Sequence, residues 1–307
     1  MNERIMIVNY IDKIDVLIEV LPYVERFRGH IIIIKYGGNA MINHELKHAV
    51  MQDVLMMKSV GMIPIVVHGG GPFISQMLDK LSMESEFING LRVTSQDTMA
   101  VAEMVLSGSV NNDIVRTYTA LGGKAIGLSG LDSQLIQVSK KEMNYGEYSD
   151  LSTSWKPDID LGFVGNIETV NTDLLYQLIE LDYIPIISSI GIGPDGQSYN
   201  INADEVASAI ATAMKANKLI YLTNTTGILA NSQDPDSLIS ELTIGEALQL
   251  MDDKVITEGM IPKVNCCIDA ICHGVENARI IDGRVKHSIL YELFFDMGIG
   301  TMITNDE

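Results

Sequence analysis

Short apolar runs recur along the chain at Ile31–Ile34, Ile63–Val67, Ala125–Leu128, Ile184–Ile187, Leu219–Leu222 and Ala278–Ile281. Each is too short for a helix and too continuously apolar for a half-solvated strand, so each predicts a strand buried on both faces. Between them the apolar spacing turns helical, as at Ile74, Leu78 and Leu81. Strands and helices in alternation predict an α/β fold, a three-layer αβα sandwich with a mainly parallel sheet. Upstream, Ile11, Ile14, Ile18 and Leu21 share one helical face with acids between them, which predicts an amphipathic helix over residues 9–21 ended near Pro22. That helix belongs to no strand–helix unit, so its apolar face is expected to pack elsewhere, for instance between subunits. Residues 135–170 are polar and turn-rich, and a hairpin is expected there. The whole reads as a helical extension over 1–30 and two lobes, 31–198 and 199–307, sharing one fold rather than forming independent domains.

Composition narrows the function. At 307 residues, 47% hydrophobic and 20% charged, the chain is an ordered globular protein. A formal charge of −19 argues against nucleic-acid binding, which runs on clustered Lys and Arg, and requires that any anionic ligand be held by a few concentrated cations. Cys266, Cys267 and Cys272 have neither disulfide nor metal-clamp spacing, and buried reduced thiols are expected. Asp12, Asp15 and Glu19 interrupt the first apolar stretch, so no signal or transit peptide is expected; no run of 18 uncharged apolar residues occurs, so neither is a membrane span.

Candidate chemistry sits after the predicted strands. Gly37-Gly38 and Gly69-Gly70-Gly71 both stand at strand-to-helix transitions, where backbone N–H groups meet anions and a missing Cβ allows close approach. Lys35, beside the first cluster, can aim its ammonium into the same crevice. No phosphate loop of the G-x-x-x-x-G-K-[ST] type exists, because Tyr118 and Ala125 occupy its defining positions around Gly123-Lys124. Gly191 to Gly196 spells G-x-G-x-x-G, yet Pro194-Asp195-Gly196 is a turn and the next helix begins only near Asp204. His44-Glu45-Leu46-Lys47-His48 matches a zinc-protease signature, but no other histidine has the spacing of a third ligand, and a solvated helix face is expected. Asn200, Asn202 and Asp204 lie at a helix entry, suited to capping, to substrate binding or to orienting cations. Lys263, just after Pro262, opens another helix where the dipole opposes it, an arrangement that makes sense if an anion binds between.

These segments together resemble the amino-acid kinase superfamily, and within it the N-acetylglutamate kinases. The resemblance rests on Lys35-Tyr36-Gly37-Gly38-Asn39-Ala40, His68-Gly69-Gly70-Gly71-Pro72, Gly90-Leu91-Arg92-Val93-Thr94, Gly127-Leu128-Ser129-Gly130, Leu161-Gly162-Phe163-Val164-Gly165, Asn200-Ile201-Asn202-Ala203-Asp204, Gly259-Met260-Ile261-Pro262-Lys263 and Ile281-Asp282-Gly283-Arg284. It implies ATP-dependent phosphorylation of the γ-carboxylate of N-acetyl-L-glutamate, the second step of arginine synthesis, with Mg on the nucleotide phosphates and no dedicated protein metal site. The N-terminal lobe would bind the amino acid and the C-terminal lobe the nucleotide. By this resemblance Lys35 and Lys263 stabilise the transferring phosphoryl group and Asp204 holds both lysines. Gly37, Gly38, Gly70, Gly71, Arg92, Asn200 and Asn202 would serve the substrate, and Asn224, Thr225, Thr226, Gly227, Ile228 and Leu229 would line the nucleotide pocket.

The chain departs from the family pattern at Asn224 and Glu258, near the expected nucleotide site, and at Ser95 and Ser109. The resemblance extends to arginine-sensitive members, which carry an added N-terminal helix joining dimers into a hexamer. It places an arginine pocket at His287, Ser288, Glu292 and Gly298, and it raises the PII signalling protein as a partner. Cytoplasm or plastid stroma is the implied compartment. Other amino-acid kinases acting on glutamate, aspartate or carbamate, and a catalytically weak sensor with this fold, are the competing readings.

Overall fold

A computed structural model describes residues 2–88, 90–142, 160–231, 233–257, 259–295 and 298–306. Its main sheet has eight strands in the order Glu241–Thr243, Thr301–Thr304, Asn277–Asp282, Lys218–Thr223, Ile31–Tyr36, Ile63–His68, Ile184–Ser188 and Ala125–Leu128. All neighbours run parallel except Asn277–Asp282 with Thr301–Thr304. The first strand is central, and later strands add to both its sides. Such a reversal opens a crevice at the carboxyl ends of the strands.

Alternate side chains of the central strand feed two separate cores. Ile33 packs with Val206, Ile210, Val264 and Cys267 from the helices Ala203–Ala213 and Ile261–Cys272. Ile32 and Ile34 pack on the other face with Val54, Ile114 and Leu293 from His44–Ser59, Asn111–Ala120 and Ser288–Phe294. A period of two with both faces covered is the three-layer sandwich the apolar runs predicted. The two expected lobes share this one sheet.

The polar stretch does contain hairpin strands. Ile136–Lys140 pairs antiparallel with Gly165–Val170, and Ile190–Ile192 with Ser198–Asn200 completes a four-stranded sheet; residues 143–159 lie outside the described ones. The G-x-G-x-x-G sequence is the turn of the second hairpin, closed by Gly193 N–H to Gln197 O at 2.9 Å.

Two expectations are corrected. The first helix runs Asn2–Phe27, straight through Pro22. A proline removes one helical hydrogen bond, but Tyr23 and Val24 pack against the core and Phe27 is buried, which holds the helix beyond it. Its face at Ile14, Leu17, Ile18 and Leu21 is 54–62% exposed. The thiols are all free, as expected, yet only Cys267 is fully buried; Cys272, the last residue of its helix, is exposed. Among the described residues no helix is long and apolar enough to cross a membrane.

Candidate active site

Lys35 sits on the central strand in the same phase as Ile33, so its side chain leaves the sheet toward the helix Ala203–Ala213, whose first turn carries Asp204. Lys35 Nζ lies 2.9 Å from Asp204 Oδ1, and Lys263 Nζ, from the first turn of Ile261–Cys272, lies 2.5 Å from Oδ2. Asn202 caps the Asp204 helix by accepting the Asp204 N–H at 2.8 Å, and the Tyr221 hydroxyl donates to Asp204 O at 3.0 Å. Asn202 therefore spends its side-chain oxygen on placing Asp204.

Burial would raise the Asp204 carboxyl, but the ammonium groups of Lys35 and Lys263 outweigh it and hold the acid below its usual range. Asp204 is 4% exposed and ionised at neutral pH. Two cations sharing one carboxylate leave a net positive charge at the end of the central strand, which can receive an anion.

The glycines shape the space in front. A Cβ at Gly37 would come within 2.7 Å of Lys35 Nζ, so a larger residue there would push the ammonium off its place over the turn. Gly38 has φ +66° and a Cβ there would collide with the Asn224 side chain. Across the crevice Gly70 caps the helix Gly71–Lys80, whose N-terminus opens toward the same space. A cavity of about 280 Å³ is lined by Lys35, Gly37, Gly38, Gly70, Gly71, Arg92, Asn200 and Asn202. The structure thus gathers residues drawn from a span of more than 160 positions into one site. A larger groove of about 600 Å³, behind the Asp204 helix at Glu205, Thr212 and Cys266, holds none of them.

Arg92 is 5% exposed and makes no ion pair among the described residues. Its guanidinium donates to Gly71 O at 3.1 Å, Ser75 Oγ at 2.8 Å and Ser85 Oγ, and it lies 4.4 Å from the Phe87 ring centre. Burial lowers its pKa, partly offset by Asp79. A desolvated cation clamped by neutral groups favours a carboxylate as its remaining partner.

The segment expected to line a nucleotide pocket divides. Asn224 is exposed beside Gly38, and Thr225 N–H bonds the Thr223 hydroxyl at 3.2 Å. Gly227 is buried against Thr301, and Thr226 and Leu229 are half-buried. The Ile228 side chain belongs to the core. It is 3% exposed because the short pairing of Ile228–Leu229 with Leu238–Ile239 turns it inward. Glu258 lies outside the described residues.

The residues expected to form an effector pocket lie on or beside the helix Ser288–Phe294. Glu292, 3% exposed, pairs with Arg279 and accepts the Ile299 N–H at 2.8 Å, while Gly298 lies against its carboxylate. Ser288 is buried, and His287 Nδ1 instead meets Asp53 Oδ1 at 2.6 Å. Nothing local in the sequence singled out Arg279, Tyr221 or Asp53, whose partners are long-range or alternate along strands. In the zinc-like sequence His44 and His48 are exposed, Glu45 pairs with Lys286 at 2.7 Å and Lys47 with Asp113 at 2.5 Å. Among the described residues no cluster of three or more His, Cys, Asp or Glu could hold a metal.

Two ammonium groups on one carboxylate, facing glycine turns at the carboxyl end of a parallel sheet, form a site suited to receive an anion. A profile of the amino acid kinase family matches residues 30–282, and the chain belongs to that family and is a kinase. Within it, the chain is 51% identical over 301 residues to acetylglutamate kinase of Syntrophomonas wolfei, covering 98% of this chain and 100% of that one. It is 50% identical over 298 residues to acetylglutamate kinase of Moorella thermoacetica, covering 97% and 99%. In fold it is similar to N-acetylglutamate synthase from Neisseria gonorrhoeae complexed with coenzyme A and N-acetylglutamate, with TM-score 0.81, 21% identity and 96% of this chain covered. The chain spans 64% of that synthase's length. A carbamate kinase from Giardia matches with TM-score 0.65 and 16% identity, covering 91% of this chain and 99% of that one.

Proposed function

We propose that this kinase transfers the terminal phosphoryl group of ATP to the γ-carboxylate of N-acetyl-L-glutamate, yielding ADP and N-acetyl-L-glutamyl 5-phosphate. The observation that carries the chemistry is the Lys35–Asp204–Lys263 bridge at the end of the central strand. A carboxylate is already a nucleophile, so the site has no proton to remove. Its task is to bring two anions together and to neutralise the charge spread over the transferring group. One carboxylate oxygen forms the new P–O bond as the bond to ADP breaks, and the electron pair leaves on the ADP β-phosphate oxygen. Lys35 and Lys263 face that group from two elements, Asp204 fixes both, and the Gly37-Gly38 and Gly70-Gly71 amides complete the cradle. Magnesium, carried on the nucleotide phosphates, would supply further charge neutralisation. The only carboxylate in the lysine bridge is already shared by two ammonium groups, which fits a metal brought by the nucleotide.

Arg92 on the lobe 31–198 and Asn200, just past its boundary, serve the acetylglutamate, and Lys263 and the Asn224 segment on the lobe 199–307 serve the nucleotide. The exposed face at Ile14, Leu17, Ile18 and Leu21 supports joining of subunits through the first helix into a hexamer. Arginine would act as inhibitor near Glu292. Because Arg279 already holds that carboxylate, free arginine competes with an internal guanidinium. The relatives being bacterial supports a cytoplasmic place of work.

The test is ADP release by the purified chain with ATP and Mg, comparing N-acetylglutamate with glutamate, aspartate and carbamate. Turnover on N-acetylglutamate at least about tenfold above the others is expected, on the discrimination a site gains from dedicated polar contacts. Equal or absent turnover refutes the substrate.

A further inference from the structure

His68 closes the strand Ile63–His68 and immediately precedes Gly69-Gly70-Gly71, yet its side chain is fully buried and does not enter the cavity. Its Nδ1 lies 2.9 Å from Gly69 O and its Nε2 lies 3.0 Å from Asn111 Nδ2. The Asn111 amide is also within 2.8 Å of Ile186 O and 3.4 Å of Leu128 O. Backbone carbonyls accept only, so the atom facing them is the amide nitrogen, and it donates to His68 Nε2. Burial pushes the imidazole down to about 4, so it is neutral at working pH and holds one proton. With Nε2 accepting, that proton resides on Nδ1 and is donated to Gly69 O.

The Gly69 carbonyl and the Gly70 N–H belong to one peptide unit. No cis bond occurs among the described residues, so the two groups point in opposite directions. Fixing the oxygen toward His68 therefore fixes the direction of the Gly70 N–H. That N–H makes no hydrogen bond among the described residues, and Gly70 lines the cavity. A glycine–glycine peptide is otherwise free to rotate at low cost. Asn111 anchors the device to two further strands, at the end of Ala125–Leu128 and the middle of Ile184–Ser188. The π-helical turn Met104–Val110 just before it brings Leu106 under Gly70, leaving no room for a Cβ.

We infer that His68, oriented by Asn111, is a positioning residue that holds the Gly69–Gly70 peptide with its N–H aimed at the bound anion. The inference rests on the proposed kinase reading of the glycine turn. Asn at position 68 can place an amide N–H near the imidazole Nδ1, whereas Gln reaches the Nε2 position and Leu supplies neither.

In the folded His68→Leu variant kcat/KM for N-acetylglutamate should fall about 10- to 100-fold, the scale of a misaimed contact. His68→Asn should recover most of that loss and His68→Gln little of it, irrespective of their melting temperatures. Equal values for the Asn and Gln variants, or an unchanged Leu variant, would overturn the inference. On the wild-type chain, ¹⁵N–¹H correlation of the histidine rings at pH 7, with His68 assigned by its absence in His68→Asn, should show a neutral ring protonated at Nδ1. A proton at Nε2 overturns the inference even if the Leu variant does not fold. Wild-type protein that leaves N-acetylglutamate unphosphorylated defeats the kinase reading alone, since the tautomer measurement still reads the hydrogen bond.

Discussion

Replacing Lys35 by alanine removes one of the two ammonium groups facing the proposed phosphoryl path. At 2.9 Å from Asp204, with an effective dielectric of about 20, their attraction is on the order of 6 kcal/mol before desolvation is subtracted. Little of that should appear as lost stability. Asp204 keeps Lys263 at 2.5 Å, so it is not left as an unpaired buried charge, for which about 3–5 kcal/mol would be expected. The Lys35 side chain is 13% exposed, and a loss of about 1–2 kcal/mol by urea unfolding is the expected range. Turnover should behave differently. A preorganised donor aimed at developing charge contributes about 2.7–4 kcal/mol, so kcat should fall on the order of a hundred- to a thousandfold. Lys35→Arg keeps the charge but cannot reproduce a point ammonium beside Gly37, and should recover little. The assay is steady-state ADP release with ATP, Mg and N-acetylglutamate, paired with unfolding curves. A folded Lys35→Ala protein with kcat within about threefold of wild type would refute the assignment, because a preorganised donor aimed at developing charge contributes about a hundredfold or more.

Three further outcomes are expected. Arg92→Lys retains a cation and loses the fork, so KM for N-acetylglutamate should rise about tenfold or more with a smaller change in kcat; a rise in KM for ATP alone would contradict its role. Burial raises the Asp53 carboxyl from 3.8 to about 6, against the opposing pull of His287. A raised acid contributes stability that is complete below its unfolded pKa and lost as pH climbs through about 6. Relative to wild type, Asp53→Asn should therefore gain on the order of 3 kcal/mol between pH 4 and pH 8 in urea unfolding, and a pH-independent difference would rule this out. Changing His44 and His48 together to alanine should leave phosphoryl transfer and melting temperature essentially unaltered, since both side chains are exposed on a solvated helix face. Loss of activity on that change would reopen a role for the zinc-like signature.

Sequence alone determined the layered α/β architecture, because burial on both faces leaves an unbroken apolar run that local reading detects. It also marked Lys35, the glycine turns and Lys263 as anion-handling, because glycine after a strand and lysine at a helix start are locally costly without a ligand, while it left Asp204 between capping, substrate binding and orienting cations. Tertiary structure decided what those residues do to one another. Lys35 and Asp204 are 169 positions apart, and only the parallel register of Lys35 with Tyr221, and of the Asp204 helix against that pair, brings them to 2.9 Å. It also decided that the first helix outlasts Pro22, that Ile228 faces the core and that Arg279 occupies Glu292. Apolar periodicity reports which way a side chain points, whereas the partner it meets there is set by how separate elements pack, and no local pattern carries that information.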